Sequence, residues 1–297
     1  MIKARSIVKD YNGFHALDGI SFDLDDTGIF GIIGHNGAGK TTLLKIMSGL
    51  VAPTSGELEI DGIDVVQNPD ALKERLGYLP EESRLYENMN VDGYLSFFGE
   101  IYGLSSDEIK KRSEHLLGRL NLDAGNKKLG ELSKGMKRKV AIARSLIHDP
   151  SFLVYDEPTS GLDPMTSRYI SEFLKNMKKE NKKTIILSAH NLFQVEEICD
   201  RIMILQRGRV VALGSIDELR EEYGSISYSV EFQADDIGEF KDCMDHFDIM
   251  GDVYLGTVPD IESLNMLTEK VSSSGGRVKK IESHYPSLED MLVQIGD

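Results

Sequence analysis

Eight consecutive residues, Gly34-His35-Asn36-Gly37-Ala38-Gly39-Lys40-Thr41, carry the spacing G-x-x-x-x-G-K-[ST]. Glycines at these places let backbone N–H groups turn inward around an anion without side-chain interference. Thr42-Leu43-Leu44-Lys45-Ile46-Met47 continues as an amphipathic helix, and a helix N-terminus adds its dipole and unpaired N–H groups to the same task. In such a loop Lys40 reaches the β- and γ-phosphates of a nucleotide, and the Thr41 hydroxyl is a ligand for Mg²⁺. A second polar group, Asp156-Glu157, ends the apolar run Phe152-Leu153-Val154-Tyr155. Asp156 suits Mg²⁺, which takes hard oxygen ligands and keeps several waters, and Glu157 suits a general base acting on an attacking water. His190 follows the run Thr184-Ile185-Ile186-Leu187-Ser188, where an imidazole can donate to the γ-phosphate and orient that water. The chemistry these groups support is in-line attack of water on a γ-phosphorus.

Such groups converge only if the elements carrying them lie side by side. Ile29-Phe30-Gly31-Ile32-Ile33 runs straight into the glycine loop, and Ile202-Met203-Ile204-Leu205 is a fourth short apolar run. Continuous apolar runs of this length suit parallel strands buried on both faces. Between them lie helical stripes: Met165, Tyr169, Ile170, Phe173, Leu174 and Met177 after Asp163-Pro164, then Leu192, Val195, Ile198 and Cys199. Alternating strand and helix signals predict an α/β fold with a parallel sheet, and ligands of such sheets sit at the carboxyl ends of the strands. Residues 2–8, 20–24, 57–60 and 63–65 read instead as antiparallel strands, with Asp61-Gly62 as a hairpin turn. Residues 82–148 are rich in helix formers and predict a helical insertion.

Within that insertion, Leu132-Ser133-Lys134-Gly135-Met136 opens a long helix over residues 136–148, a second serine-capped helix start able to bind an anion. A head-to-tail homodimer would use both, each copy closing its second site over the nucleotide of the other.

In this order of motifs the sequence resembles the ATP-binding subunit of ABC transporters over residues 1–223. The motifs are Tyr11, the loop through Thr42, Tyr78-Leu79-Pro80-Glu81, Leu132-Ser133-Lys134-Gly135-Met136, the run ending in Asp156-Glu157-Pro158, Ser160-Gly161-Leu162-Asp163, and His190. The resemblance implies a P-loop NTPase with an antiparallel β subdomain, ATP and Mg²⁺ as ligands, and a homodimer with ATP at its interface. It implies that Tyr11 stacks on adenine, a contact worth about 1 kcal/mol. It implies that Ser133 and Gly135 touch the γ-phosphate held by the other copy and that Asp163 communicates across the interface. Glu81 stands where the family has glutamine, and its carboxylate can still ligate Mg²⁺ or a water. Lys134 and Met136 replace the commoner glycine and glutamine, and Lys134 brings positive charge toward the incoming phosphate. The implied partners are separate membrane permease subunits.

The 297 residues include 49 acidic and 34 basic side chains, for a net charge of −15. That balance disfavours nucleic acid as a partner. Apolar runs fall far short of the ~20 residues of a membrane span. Met1-Ile2-Lys3-Ala4-Arg5 opens no apolar leader, and Cys199 and Cys243 read as reduced thiols. The expected location is therefore the cytoplasmic face of the cell membrane, reached through the permease. The alternative is a soluble ABC ATPase acting on ribosomes or nucleic acid; ribosome-acting members carry two cassettes in tandem, and this chain has one. A P-loop kinase or GTPase would lack the second helix start.

Residues 221–297 hold 17 acids and 5 bases, so −12 of the −15 falls there, and composition breaks at Tyr223-Gly224-Ser225. Residues 224–297 read as a small α+β accessory domain. Ile226, Tyr228, Val230 and Phe232 alternate as a strand, and Val253-Tyr254-Leu255 and residues 277–281 are two more. Ile237, Phe240, Met244 and Phe247 space as a short helix; Ile261, Leu264, Leu267 and Val271 space as a longer one. Ser287 and Asp290 have capping-box spacing before a last helix. The module resembles the C-terminal domain of drug-resistance-type exporter ATPases, which points to export and to regulation or dimer support.

Overall fold

The computed structural model describes all residues except 25–26, 182, 225, 235–239, 241–242, 252 and 297. Ile2, Ala4 and Ile7 are buried while Arg5 and Ser6 between them are exposed, the one-sided pattern of an antiparallel strand. This is β1 (Ile2–Tyr11), which turns through Asn12-Gly13 into β2 (Phe14–Leu24). By contrast β3 (Ile29–Ile33) is buried at all five positions. After the glycine loop come α1 (Lys40–Met47) and β4 (Ser55–Ile60), which pairs antiparallel with β1. Asp61 and Gly62 both take positive φ (49° and 78°) in the turn to β5 (Ile63–Asp64). The first sheet thus runs β2-β1-β4-β5.

Next, α2 (Pro69–Lys73) leads into β6 (Leu76–Leu79). Three helices follow, α3 (Val91–Ile101), α4 (Ser106–Arg119) and α5 (Lys134–Leu146), and these form the insertion. The chain then alternates: β7 (Phe152–Tyr155), α6 (Pro164–Asn181), β8 (Thr184–Ser188), α7 (Leu192–Ile198), β9 (Arg201–Gln206) and β10 (Arg209–Gly214). The second sheet runs β10-β9-β3-β8-β7-β6. Its strands are parallel from β9 to β6, and β10 closes one edge antiparallel. The carboxyl ends of β3, β8, β7 and β6 therefore lie side by side, bringing the glycine loop, His190, Asp156-Glu157 and Glu81 to one edge.

In this part of the chain Met165 and two edge strands differ from the sequence reading. Met165 is 79% exposed although Ile170, Phe173, Leu174 and Met177 of its stripe are buried, because it sits in the first turn of α6, beyond the core. Strands β6 and β10 had no predicted counterpart. They lie at the two edges of the sheet, where β10 is only partly buried and the four residues of β6 include Gly77, so neither shows a continuous apolar run.

The described chain divides into two compact units, Met1–Ser215 and Ile216–Asp297. The second begins eight residues before the composition break, since α8 (Ile216–Tyr223) packs on α10 (Leu288–Gly296) inside it. Ser225 of the expected junction lies outside the described residues. The unit's sheet, β12-β13-β11-β14, is antiparallel. It is formed by β11 (Ser227–Gln233), β12 (His246–Met250), β13 (Val253–Val258) and β14 (Arg277–His284). Helix α9 (Ile261–Ser273) buries Leu264, Leu267 and Val271 against Val230, Phe232 and Val258. The expected short helix is corrected at its end, where Phe247 belongs to β12 opposite Gly256; Ile237 lies outside the described residues. The capping box forms as expected, with Ser287 Oγ donating to Asp290 at 2.7 Å and accepting from Asp290 N–H at 3.2 Å.

Candidate functional site

The glycine loop is held by its backbone on both sides. Ala38 C=O accepts from Gly208 N–H at 3.0 Å, and Gly208 C=O accepts from Asp18 N–H at 2.8 Å. The β9–β10 turn thereby joins the loop to the antiparallel sheet. Gly34 (φ 151°) and Gly39 (φ 107°) admit no side chain: a Cβ would meet Leu205 C=O at 2.2 Å and Ala16 C=O at 2.6 Å. No side chain caps helix α1, leaving its first N–H groups turned toward the loop for an anion. Lys40 Nζ donates to Gly34 C=O at 2.7 Å and His35 C=O at 3.2 Å. Burial lowers the Lys40 pKa, opposed by Glu157, Asp156 and Glu81; the ammonium is poised in a dry place with three carboxylates in view.

Tyr11, Phe14, Ala16, the loop from Asn36 to Thr42, Glu81, Asp156, Glu157 and His190 line one open cleft of about 440 Å³, a volume that suits a nucleotide-sized ligand. Gly34 and His35 serve it through the carbonyls that hold Lys40. Tyr11 is 46% exposed at the hairpin tip beside Phe14, an aromatic that alternation alone does not mark. Ser133, Gly135 and Asp163 do not line the cleft. Ser133 caps α5 by accepting from Met136 N–H at 3.2 Å. Asp163 accepts from Thr166 N–H at 2.9 Å, which holds its carboxyl below the usual range.

The carboxylate pair is built with care. Ser188, fully buried at the end of β8, donates to Asp156 Oδ1 at 2.6 Å and accepts from Glu157 N–H at 2.9 Å. One hydroxyl thus fixes both acids. Its sequence signal was a polar residue closing an apolar strand beside Asp156-Glu157. Ser188→Ala strands a buried amide and a carboxylate oxygen, so unfolding free energy should fall by about 1–3 kcal/mol, measurable by urea titration. Glu157 is left-handed at φ 49°, a conformation costing a side-chain-bearing residue about 1–2 kcal/mol, and such strain persists only where neighbours enforce it. Its carboxylate Oε1 is buried, has no aligned hydrogen bond, and faces His190 Nε2 at 3.2 Å. Burial raises the Glu157 pKa, while His190 and Lys40 pull it down. A buried carboxylate of raised pKa, on a residue that lines the same cleft as the phosphate loop, can take a proton from water.

Arg138 of α5, which the sequence reading passed over, is also buried. It donates only to backbone carbonyls and Ser83 Oγ at the ends of β6 and β7. Burial lowers its pKa to about 10, leaving it charged at neutral pH.

Thr41, Asp156 and Glu81 offer hard oxygens to one cleft, and among the described residues no cluster of three or more His, Cys, Asp or Glu could hold a metal. That donor set fits Mg²⁺ shared with phosphate and water rather than a metal caged by protein alone.

A strand–loop–helix phosphate cradle after β3, facing two carboxylates at the end of β7 with β8 between the two strands, defines a P-loop ATPase cassette. Residues 17–160 match the family model described as ABC transporter, and residues 214–295 match the C-terminal domain of ATP-binding protein DrrA1-3-like. The chain is 41% identical over 208 residues to the ABC transporter ATP-binding protein NatA of Bacillus subtilis, covering 69% of this chain and 84% of that one. It is 30% identical over 302 residues to the bacitracin transport ATP-binding protein BcrA of Bacillus licheniformis, covering 99% of this chain and 97% of the relative. A dimeric ATP-binding cassette in a post-hydrolysis state with ADP and Pi superposes with a TM-score of 0.68 at 26% identity, over 73% of this chain and 99% of that one. The chain belongs to the ABC transporter ATP-binding proteins and is an ATPase.

Proposed function

We propose that this chain is the motor of an exporter, hydrolysing ATP at two composite sites between two copies and passing the closure to membrane permease subunits. The observation that carries this reading is the half-built site. One copy gathers the phosphate loop, Asp156, Glu157 and His190 into a cleft that lacks Ser133 and Gly135, and those two stand at a separate helix start. A second copy, docked head to tail, supplies them to the γ-phosphate. Tyr11 stacks on the adenine; Lys40 and the loop N–H groups bind the β- and γ-phosphates. Thr41, Asp156 and Glu81 would hold Mg²⁺, which would supply charge neutralisation to the phosphates. Glu157 accepts the proton of the attacking water, His190 orients it, and Asp163 reports across the interface.

The bacitracin-transport relative and the DrrA-like second unit favour export. Among the described residues no helix is long and apolar enough to cross a membrane, in keeping with a cytoplasmic-face subunit carried by a permease. The first unit, Met1–Ser215, acts as the ATPase domain and the second, Ile216–Asp297, as an accessory domain for regulation or dimer support. Sedimentation of the Glu157→Gln protein with saturating ATP and magnesium tests the composite site. A nucleotide-dependent dimer is expected; a monomer under these conditions would overturn the reading.

A further inference from the structure

Helix α5 starts at the proposed γ-phosphate contacts, Ser133 and Gly135, and one turn later sends Arg138 inward. Its side chain is 6% exposed, and its guanidinium reaches two segments. At the end of β6, Nη1 donates to Pro80 C=O at 2.8 Å, Glu81 C=O at 3.0 Å and Ser83 Oγ at 3.3 Å. At the end of β7, Nε donates to Pro158 C=O at 2.8 Å, and Nη2 donates to Asp156 C=O at 3.3 Å and to Glu157 C=O. A planar fork with five donors reaches the acceptors of both segments at once, whereas a lysine offers three donors from a single point. Glu157 is therefore gripped on both sides of its left-handed backbone, with Ser188 on the N–H and Arg138 on the carbonyl. The same arginine ties down the loop that carries Glu81.

We propose that Arg138 is a positioning residue for hydrolysis, coupling the seating of the α5 N-terminus on a γ-phosphate to the placement of the Glu157 carboxylate. This inference rests on the reading of Glu157 as the base. It requires that the arginine act chiefly on the chemical step: it holds the backbone carbonyls of Glu81, Asp156 and Glu157, whose residues share the cleft with the phosphate loop, and makes no hydrogen bond to the loop itself. A displacement of a catalytic group by about 1 Å is enough to cost ~10²-fold in rate, and loss of half the guanidinium contacts allows a shift of that size.

The test measures ATP turnover, ATP affinity and melting temperature for Arg138→Lys and Arg138→Gln in the full chain. In Arg138→Lys, kcat should fall at least ~10-fold with KM and ATP Kd within about threefold of wild type, and Arg138→Gln should be slower still. In the Glu157→Gln background, Arg138→Lys should bring no further loss in the slow residual hydrolysis, since both changes act through one group. Normal kcat in Arg138→Lys beside an inactive Glu157→Gln would overturn the role of Arg138 and leave the base assignment standing. Normal turnover in Glu157→Gln would instead remove the base assignment. Multiplicative losses in the double variant, or collapse of the melting temperature in both Arg138 variants, would make the arginine a residue of the fold and refute the coupling.

Discussion

Glu157→Gln is expected to lower ATP turnover at least ~10²-fold while ATP still binds, because the amide keeps the shape of the side chain but cannot accept a proton. The geometry makes the effect specific. The carboxylate is buried, its Oε1 has no aligned hydrogen bond, and Ser188 holds the backbone beneath it. The substitution also removes a desolvated charge, so the variant should remain folded. The wild-type pH profile supplies an independent check. Only the ionised carboxylate is a base, and burial raises the Glu157 pKa above its ordinary 4.5. Turnover should therefore decline as pH falls through that raised value, at a higher pH than an exposed glutamate would give. Steady-state rates across the acid range, with ATP binding followed by calorimetry, read both effects. Wild-type turnover in Glu157→Gln would remove it from the base role.

Lys40→Ala should act on binding itself. The ammonium is held by the Gly34 and His35 carbonyls and is partly stripped of water. It is thus preorganised for the proposed phosphate contact, and a charge-assisted contact of this kind contributes about 1.5–3 kcal/mol. At about 1.4 kcal/mol per decade, ATP affinity should weaken by about 10- to 100-fold in a titration. Unchanged affinity would remove Lys40 from the phosphate site. The two variants separate the steps, since Glu157→Gln spares affinity and Lys40→Ala does not.

Local chemistry made much of the site readable before any coordinates. The glycine loop announces itself because φ of 151° at Gly34 and the 2.2 Å gap to Leu205 leave no room for another residue type. The runs that become β3 and β7 are buried at every position, and β8 at all but its first, because parallel strands are covered on both faces. The capping box at Ser287 and Asp290 is a three-residue pattern and forms as spaced. Where tertiary context decides, local reading fails. Met165 continues a helical stripe but projects past the core. Phe247 fits a helix spacing yet pairs in a strand, since a few apolar residues match either period until the partner strand is present.

Sequence alone determined the residue types on offer: glycines and a lysine suited to an anion, a hydroxyl and carboxylates suited to a hard cation, and a glutamate and an imidazole for the proposed hydrolysis. The chain carries these, and their short-range spacing, wherever it folds. Tertiary structure decided which groups meet. It set β8 between β3 and β7, so that a serine 31 residues from Glu157 orients it. It drove Arg138 from a helix start into the carbonyls of two strand ends, 18 to 58 residues away along the chain. Such contacts have no local signature, because a hydrogen bond depends on distance in space and leaves no period in the sequence.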